Sequence, residues 1–246
     1  MSIHKILLNC LILSLFVSVS RAQKQKSVSQ FIDLSGTIGQ DQGTGALSYV
    51  YNWKTGKRKK FELGAGLRWT TYAGTKKEFY TAGPASLTRT SSVPFLIVFA
   101  GINEENIDTL VVQRPLIHAL NLSFNMGYQF TKRIYGGINI DVVGFSFGRK
   151  SSSVLTSDGE TMTDPEASPT AFNILLTGDH DSGSLNSEFF VRYQAGKRWS
   201  FKALYQFLFA EYTTHNIVQT APDGTEIDQF RNKANNIGLG IVYHLQ

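Results

Sequence analysis

The sequence predicts an all-β protein: a closed, antiparallel, up-and-down transmembrane β-barrel of eight strands, with ten as the alternative, bearing short periplasmic turns and long extracellular loops. Three observations predict it. Long segments alternate apolar and polar residues with a period of two, which gives a strand two unlike faces. The connections between these segments alternate short and long, the layout of an outer-membrane barrel. Aromatic residues gather near both ends of the segments, where amphipathic rings would meet the two lipid–water boundaries.

The clearest stretch runs from His118 to Phe147. Leu120, Leu122, Phe124, Met126, Tyr128 and Phe130 are separated by Asn121, Ser123, Asn125, Gly127 and Gln129. After Thr131, Lys132 and Arg133 the alternation resumes, with Ile134, Ile138, Ile140 and Val142 on one face and Tyr135, Gly137, Asn139 and Asp141 on the other. So short a connection joins antiparallel neighbours. With residue 130 facing 134, Tyr128 covers Gly136, Phe124 meets Ile140 and Gly127 meets Gly137, so each face is chemically uniform. These runs exceed the usual length of about five or six residues and suit an oblique membrane crossing, which takes roughly 9–11.

The remaining strands follow the same rule. The first, about 31–38, sets Ile32, Leu34 and Ile38 against Asp33, Ser35 and Thr37. The second, about 46–53, presents Leu47, Tyr49, Tyr51 and Trp53. The third, about 60–72, presents Phe61, Leu63, Ala65, Leu67 and Trp69, with Glu62, Gly64, Gly66 and Arg68 behind. The sixth, about 187–195, carries Phe189, Val191 and Tyr193 against Glu188, Arg192 and Gln194. The seventh, about 199–212, shows Trp199, Phe201, Ala203, Tyr205, Phe207 and Phe209, and the eighth, about 235–245, shows Ile237, Leu239, Ile241, Tyr243 and Leu245. Tight turns fall at 54–60, 131–133 and 196–198, and longer loops at 39–45, 73–117, 148–186 and 213–234. Trp53, Phe61, Phe130, Trp199 and Tyr243 lie near the short-turn ends. Trp69, Tyr72, Phe209 and Tyr212 lie near the long-loop ends.

Residues 1–22 read as a cleaved export signal, with His4 and Lys5 before the apolar run Ile6 to Val19 and small residues Ser20 and Ala22 around Arg21. A lipid anchor on Cys10 is the rival, but Asn9 precedes it and Cys10 lies inside the apolar core. Cleavage would remove the only cysteine, leaving residues 23–246 as one barrel domain without disulfide or thiol chemistry. It would also lower the net charge from +5 to +3, too little to argue for nucleic acid. No later segment approaches 18 consecutive apolar residues.

On this pattern the chain resembles the small eight-stranded outer-membrane β-barrels of Gram-negative bacteria, the group typified by the OmpA membrane domain and OmpW. The last strand resembles the assembly signal of that class in Asn236, Ile237, Gly238, Ile241 and Tyr243, although it ends in His244-Leu245-Gln246 rather than an aromatic. The resemblance implies residence in the outer membrane among its lipids and lipopolysaccharide, and insertion by a barrel-assembly machinery. It implies no activity, because the class includes stabilisers, adhesins, small-solute channels and lipid enzymes.

A barrel of eight strands has an interior that side chains can fill. The inward set contains Asp33, Glu62, Asp141 and Glu188 against Arg68, Arg192 and Lys202. Arg192 falls opposite Lys202, which is unfavourable unless carboxylates intervene, so an ion-pair network with Asp33 and Glu62 is expected. That network either plugs the interior or lines a gated polar path; plugging is expected of so narrow a ring.

Two loops stand out. Val93 to Ala100, including Phe95, Leu96, Ile97 and Phe99, is apolar enough to bind a hydrophobic ligand or partner. It could equally pair with Thr109 to Gln113 in an extra hairpin or fold back as a cap. The loop 148–186 is acidic, with Asp158, Glu160, Asp164, Glu166, Asp179 and Asp181; Asp179 to Gly183 carries only part of a calcium loop's ligand series, and a solvated loop is the default. The short turns are basic, through Lys54, Lys57, Arg58, Lys59, Lys60, Lys132, Arg133, Lys197 and Arg198. They suit anionic head groups and equally suit soluble turns.

For enzyme chemistry a nucleophile, a base and an orienting acid must converge. His118 and His215 sit near loop-side strand ends, but no spacing is diagnostic and no phosphate-loop, zinc or cofactor motif occurs. The expectation is a structural or surface-interaction protein acting through its loops and carrying no cofactor. A narrow channel for small hydrophobic or ionic solutes is the alternative, and a lipid-modifying enzyme the third reading.

Overall fold

The computed structural model describes residues 27–91, 100–157, 159–175 and 181–245. The expected export signal at 1–22 lies outside them, as do Phe95, Leu96, Ile97 and Phe99.

The described residues form antiparallel strands in chain order: β1 (Val28–Gly39), β2 (Gln42–Thr55), β3 (Phe61–Gly74), β4 (Lys76–Thr81), β5 (Thr109–Gln113), β6 (Leu116–Gln129), β7 (Ile134–Gly148), β8 (Ser151–Ser157), β9 (Glu160–Pro169), β10 (Phe172–Ile174), β11 (Leu185–Gln194), β12 (Trp199–Thr213), β13 (Gln219–Thr220), β14 (Glu226–Ile227) and β15 (Gln229–His244). A one-turn helix, Ala85–Thr88, is the only α-helix among them. Thirteen strands share one sheet, ordered β10-β7-β11-β12-β9-β8-β5-β4-β15-β1-β2-β3-β6, and β13 pairs with β14 apart from it.

Pairing of β6 with β7 closes twelve of these strands into a ring, and pairing of β12 with β15 runs across that ring. The cross-pairing divides it into two compartments. One is walled by β1, β2, β3, β6, β7, β11, β12 and β15; the other by β4, β5, β8, β9, β12 and β15. The expected eight-stranded up-and-down barrel is therefore corrected, and so is its ten-stranded alternative. The segments 73–117 and 148–186, read as loops, hold five further strands that continue the sheet, so hydrogen bonding does not end where the apolar alternation ends.

The long strands form where alternation is clean, and their registers follow from it. Tyr128 pairs with Gly136, Gly127 with Gly137 and Phe124 with Ile140. The Gly127–Gly137 pair is required by what lies inside: a Cβ at Gly127 would stand 2.1 Å from the Tyr135 hydroxyl, and one at Gly137 2.9 Å from the Phe190 ring. A bulge between Leu122 and Ser123 admits Val142 as an extra residue and moves the inward face of β7 from Asp141 to Gly144 and Ser146.

The two compartments have opposite polarity. The first presents Ile32, Leu34, Leu47, Leu67, Leu122, Phe124, Val191, Phe201, Ile237, Leu239 and Ile241 outward, all exposed, and buries Asp33, Arg68, Asn121, Asn139, Asp141, Glu188, Lys202 and Gln206. The second buries Phe79, Leu110, Val112, Leu155, Ala167, Ala210, Tyr212 and Phe230 in an apolar core that includes Tyr72 and Ile117. Its outer face is polar: Lys76, Thr161, Thr163 and Glu166 are exposed. Within β12 the inward row passes from Lys202 and Gln206 to Leu208, Ala210 and Tyr212 with no change of phase.

Candidate functional site

The polar compartment is filled by hydrogen-bonded and ion-paired side chains. Its charges come from facing strands because inward residues recur every second position. Arg68 on β3 reaches across the ring: Nε lies 3.3 Å from Asp141 Oδ1 and Nη1 3.4 Å from Glu188 Oε1. Its Nη2 donates to Asn139 Oδ1 at 2.6 Å. Lys202 on β12 donates to Asp33 Oδ2 at 2.5 Å and to Glu188 Oε2 at 3.0 Å. Glu188 thus stands between two cations from opposite walls, and it also accepts from Asn139 and Asn186. Asp141 is further held by the Asn121 amide at 2.8 Å and the backbone N–H of Asn186 at 3.1 Å.

Arg192 does face Lys202 across the β11–β12 pair. No ion pair is formed by Arg192 among the described residues. Its guanidinium lies over the rings of Phe31 at 4.6 Å and Tyr135 at 4.3 Å. Ring quadrupoles therefore compensate part of its buried charge. Glu62 goes its own way too: it accepts from the Asn52 amide at 3.3 Å and lies 3.9 Å from Lys54 Nζ. With Lys54 counted at the rim, four carboxylates face four cations inside, so the filling is close to neutral.

Asparagine and glutamine extend this filling beyond the charges the sequence singles out. Gln206 accepts from Thr37 at 2.7 Å and from Asn236 at 2.8 Å. Asn173 donates to Asn121 at 2.8 Å, while its own carbonyl accepts from Ser146 and from the Ser184 N–H. Phase along β6 and β7 could have found Asn121 and Asn139. Asn173 and Ser184 lie in the segment read as a solvated loop and gave no signal. Glu211 is fully buried and accepts from Arg231 Nε and Nη2, at 2.9 and 2.6 Å.

Of the aromatic residues expected at the boundaries, Trp53, Trp69, Phe130 and Trp199 are exposed on the outer face, and Phe61, Phe209 and Tyr243 are half-buried there. Trp199 packs on Tyr243 at 4.8 Å, and the Tyr243 hydroxyl accepts from Arg198 at 2.9 Å. Tyr72 is one of two exceptions and is corrected: it shares the inward phase of Arg68 and Thr70, lies buried in the apolar core, and donates to Gln42 Oε1 at 3.0 Å. Tyr212 is likewise inside, its hydroxyl accepting from the Leu116 N–H and donating to the Arg149 carbonyl, both at 3.1 Å.

The histidines are placed as follows. His118 shares a hydrogen bond with Thr71 at 2.9 Å and packs against Trp69 and Phe147 on the outer wall. His215 Nε2 lies 2.8 Å from Ser168 Oγ, and its backbone N–H donates to Asp164. Asp164 does not meet the imidazole. It caps backbone groups instead, accepting from the N–H groups of Glu166, His215 and Asn216 and from the Asn216 amide. Burial pushes its carboxyl up, but these four donors outweigh it and hold the group below the ordinary carboxylate range. Among the described residues no group of three or more His, Cys, Asp or Glu could hold a metal ion. Asp158, Asp179 and His180 lie outside them.

No protein-family model and no curated protein matches the chain. Solved structures align along most of it at low similarity. A de novo designed transmembrane β-barrel is 7% identical, with a TM-score of 0.34, over 91% of this chain and 98% of its own. Ail, the attachment invasion locus protein of Yersinia pestis, is 9% identical, with a TM-score of 0.34, over 89% and 97%. Neisserial surface protein A is 7% identical, with a TM-score of 0.30, over 88% and 94%. Likeness of this size carries none of their properties to this chain.

Proposed function

We propose that the chain is an exported outer-membrane β-barrel protein of a Gram-negative bacterium, inserted by a barrel-assembly machinery and acting structurally or through its extracellular face, with a plugged interior. One observation carries this reading. The wall around the polar compartment is apolar outside and charged inside, the reverse of a water-soluble protein. Lipid would satisfy the exposed Leu34, Ile38, Leu239 and their neighbours, as water would not.

Plugging is supported by two stacked layers. The Arg68–Glu188–Lys202–Asp33 chain crosses the polar compartment from wall to wall. The apolar core around Phe79, Leu110, Tyr212 and Phe230 lies beyond it, toward the long connections. Water and ions would have to pass both. The test is conductance of the purified protein in planar bilayers. A closed baseline under voltage is expected, whereas stable unitary steps would favour the narrow channel. Insertion itself is checked separately: the protein should need detergent or vesicles to stay monodisperse.

A further inference from the structure

Where the two compartments meet, β3 passes into β4, β5 into β6 and β7 into β8 through bends of one or two residues. These bends enclose a groove of about 500 Å³ on the outer surface, lined by Ala73, Gly74, Lys76, Arg114, Leu116 and Arg149 among others. The three cations in it are exposed, and no acidic residue lines it. Arg114 is held there by a left-handed backbone conformation, φ 47°, that non-glycine residues seldom adopt, and its carbonyl accepts from Arg149 Nη1 at 3.1 Å. The adjacent Lys150 is engaged elsewhere, by Glu166 at 2.9 Å.

Below the groove the outer wall descends in rows set by strand register. Ala73 pairs with Leu116, Thr71 with His118, and Trp69 with Leu120. His118 in turn pairs with Phe147, and Leu120 with Phe145. The sequence from groove to belt is thus three cations, then a row of histidine and aromatic rings, then leucine and phenylalanine. A phosphorylated lipid has the same order of groups: anionic head, interfacial linkage, acyl chains. The setting makes the groove distinctive. Among the described residues, the acidic ones other than Asp33, Glu62, Asp141 and Glu188 lie toward this same long-connection side.

We propose that this groove binds the phosphate of a membrane lipid in the leaflet on the long-connection side, with Lys76, Arg114 and Arg149 around the phosphate and the acyl chains lying over Leu116, Leu120 and Phe147. The proposal rests on the membrane reading above. Surface cations near lipid head groups act at about fivefold in affinity each, so three together give roughly a hundredfold.

The test uses the mature full-length protein in zwitterionic detergent micelles, with retained lipid read by native mass spectrometry. The probes are bisphosphorylated lipid A, the same lipid stripped of phosphate, and inorganic phosphate. Wild type should retain the phosphorylated lipid, and the triple variant Lys76→Gln, Arg114→Gly, Arg149→Gln should lose roughly a hundredfold in affinity. Glycine at 114 keeps the backbone conformation while removing the charge. Substituting Lys57, Arg133 and Arg198 by Gln at the opposite end should leave retention unchanged. Equal retention of both lipids, equal binding by the triple variant, equal binding of free phosphate, or equal loss on substituting the opposite end would each overturn the site. Insertion of every variant into phosphatidylcholine vesicles is scored in parallel, so failure of the site is distinguishable from failure of the membrane reading.

Discussion

Glu188 shows how much of the polar compartment depends on single atoms. One of its carboxylate oxygens faces Arg68 and the other faces Lys202, so it neutralises cations from opposite walls. Removing one partner of a buried pair leaves an unpaired charge and costs about 3–5 kcal/mol. Glu188→Ala leaves Arg68 with Asp141 alone and Lys202 with Asp33 alone, one buried positive charge in excess, and is expected to cost within that range, measured by urea unfolding in detergent. Glu62→Ala is expected to cost less, since Glu62 forms no ion pair with a fully buried cation: it meets the Asn52 amide, the Tyr135 hydroxyl and the partly exposed Lys54. Equal losses would mean that the two carboxylates are equally compensated. Asp164 gives a residue-scale prediction of the opposite kind. Its folded carboxyl titrates below the unfolded one, so its contribution is present above the unfolded value, near 4, and is lost as pH falls through the lower folded value. Hydrogen exchange at the His215 and Asn216 amides should therefore accelerate only below about pH 4, and Asp164→Asn should lift their exchange to that level at neutral pH.

At the scale of elements, the long strands were legible and the short ones were not, for one physical reason. In β3 the inward residues are Arg68, Thr70 and Tyr72, but in β4 the inward residue is Phe79, an odd number of positions further on. The same slip separates Val112 from Ile117 across β5 and β6, and Ser146 from Ser151 across β7 and β8. Each bend shifts the inward phase by one position, so alternation that is continuous in space is broken in sequence. Tyr72 still keeps the inward phase of Arg68, and clustering of aromatics at strand ends concealed it. The upper strands also carry few apolar residues, because their outer face meets water: β8 reads Ser-Ser-Ser-Val-Leu-Thr-Ser, and β9 contains two prolines. The charged interior was legible wherever phase was unbroken, as for Asp33, Arg68, Asp141 and Lys202. Its asparagine contacts from 173 and 186 depended on the folded course of the acidic segment. Phe79→Ala tests whether β4 is held by its inward side chain. It should cost about 3–5 kcal/mol and remove exchange protection from β4 and β5 while sparing β1 and β2.

For the molecule as a whole, the proposed membrane setting would hold the two compartments by opposite solvents. The polar one is stabilised when its wall is in lipid and its charges are paired inside. The apolar one is stabilised by withdrawing Phe79, Leu110, Leu155, Tyr212 and Phe230 from water, as in a soluble core. Urea weakens the second directly, since it solvates apolar and peptide groups in water, but it would not reach a first compartment whose wall lies in hydrocarbon. Strands β12 and β15 belong to both compartments, so their upper halves, Phe209 to Thr213 and Gln229 to Lys233, should follow the apolar core while their lower halves follow the wall. Exchange measured in vesicles against rising urea should then show two steps. Protection should vanish first from β4, β5, β8, β9 and the upper ends of β12 and β15, and later from β1, β2, β3, β6, β7 and β11. A single step shared by all strands would mean that the cross-pairing of β12 with β15 couples the compartments into one cooperative unit, and that the polar inversion along these two strands has no energetic boundary.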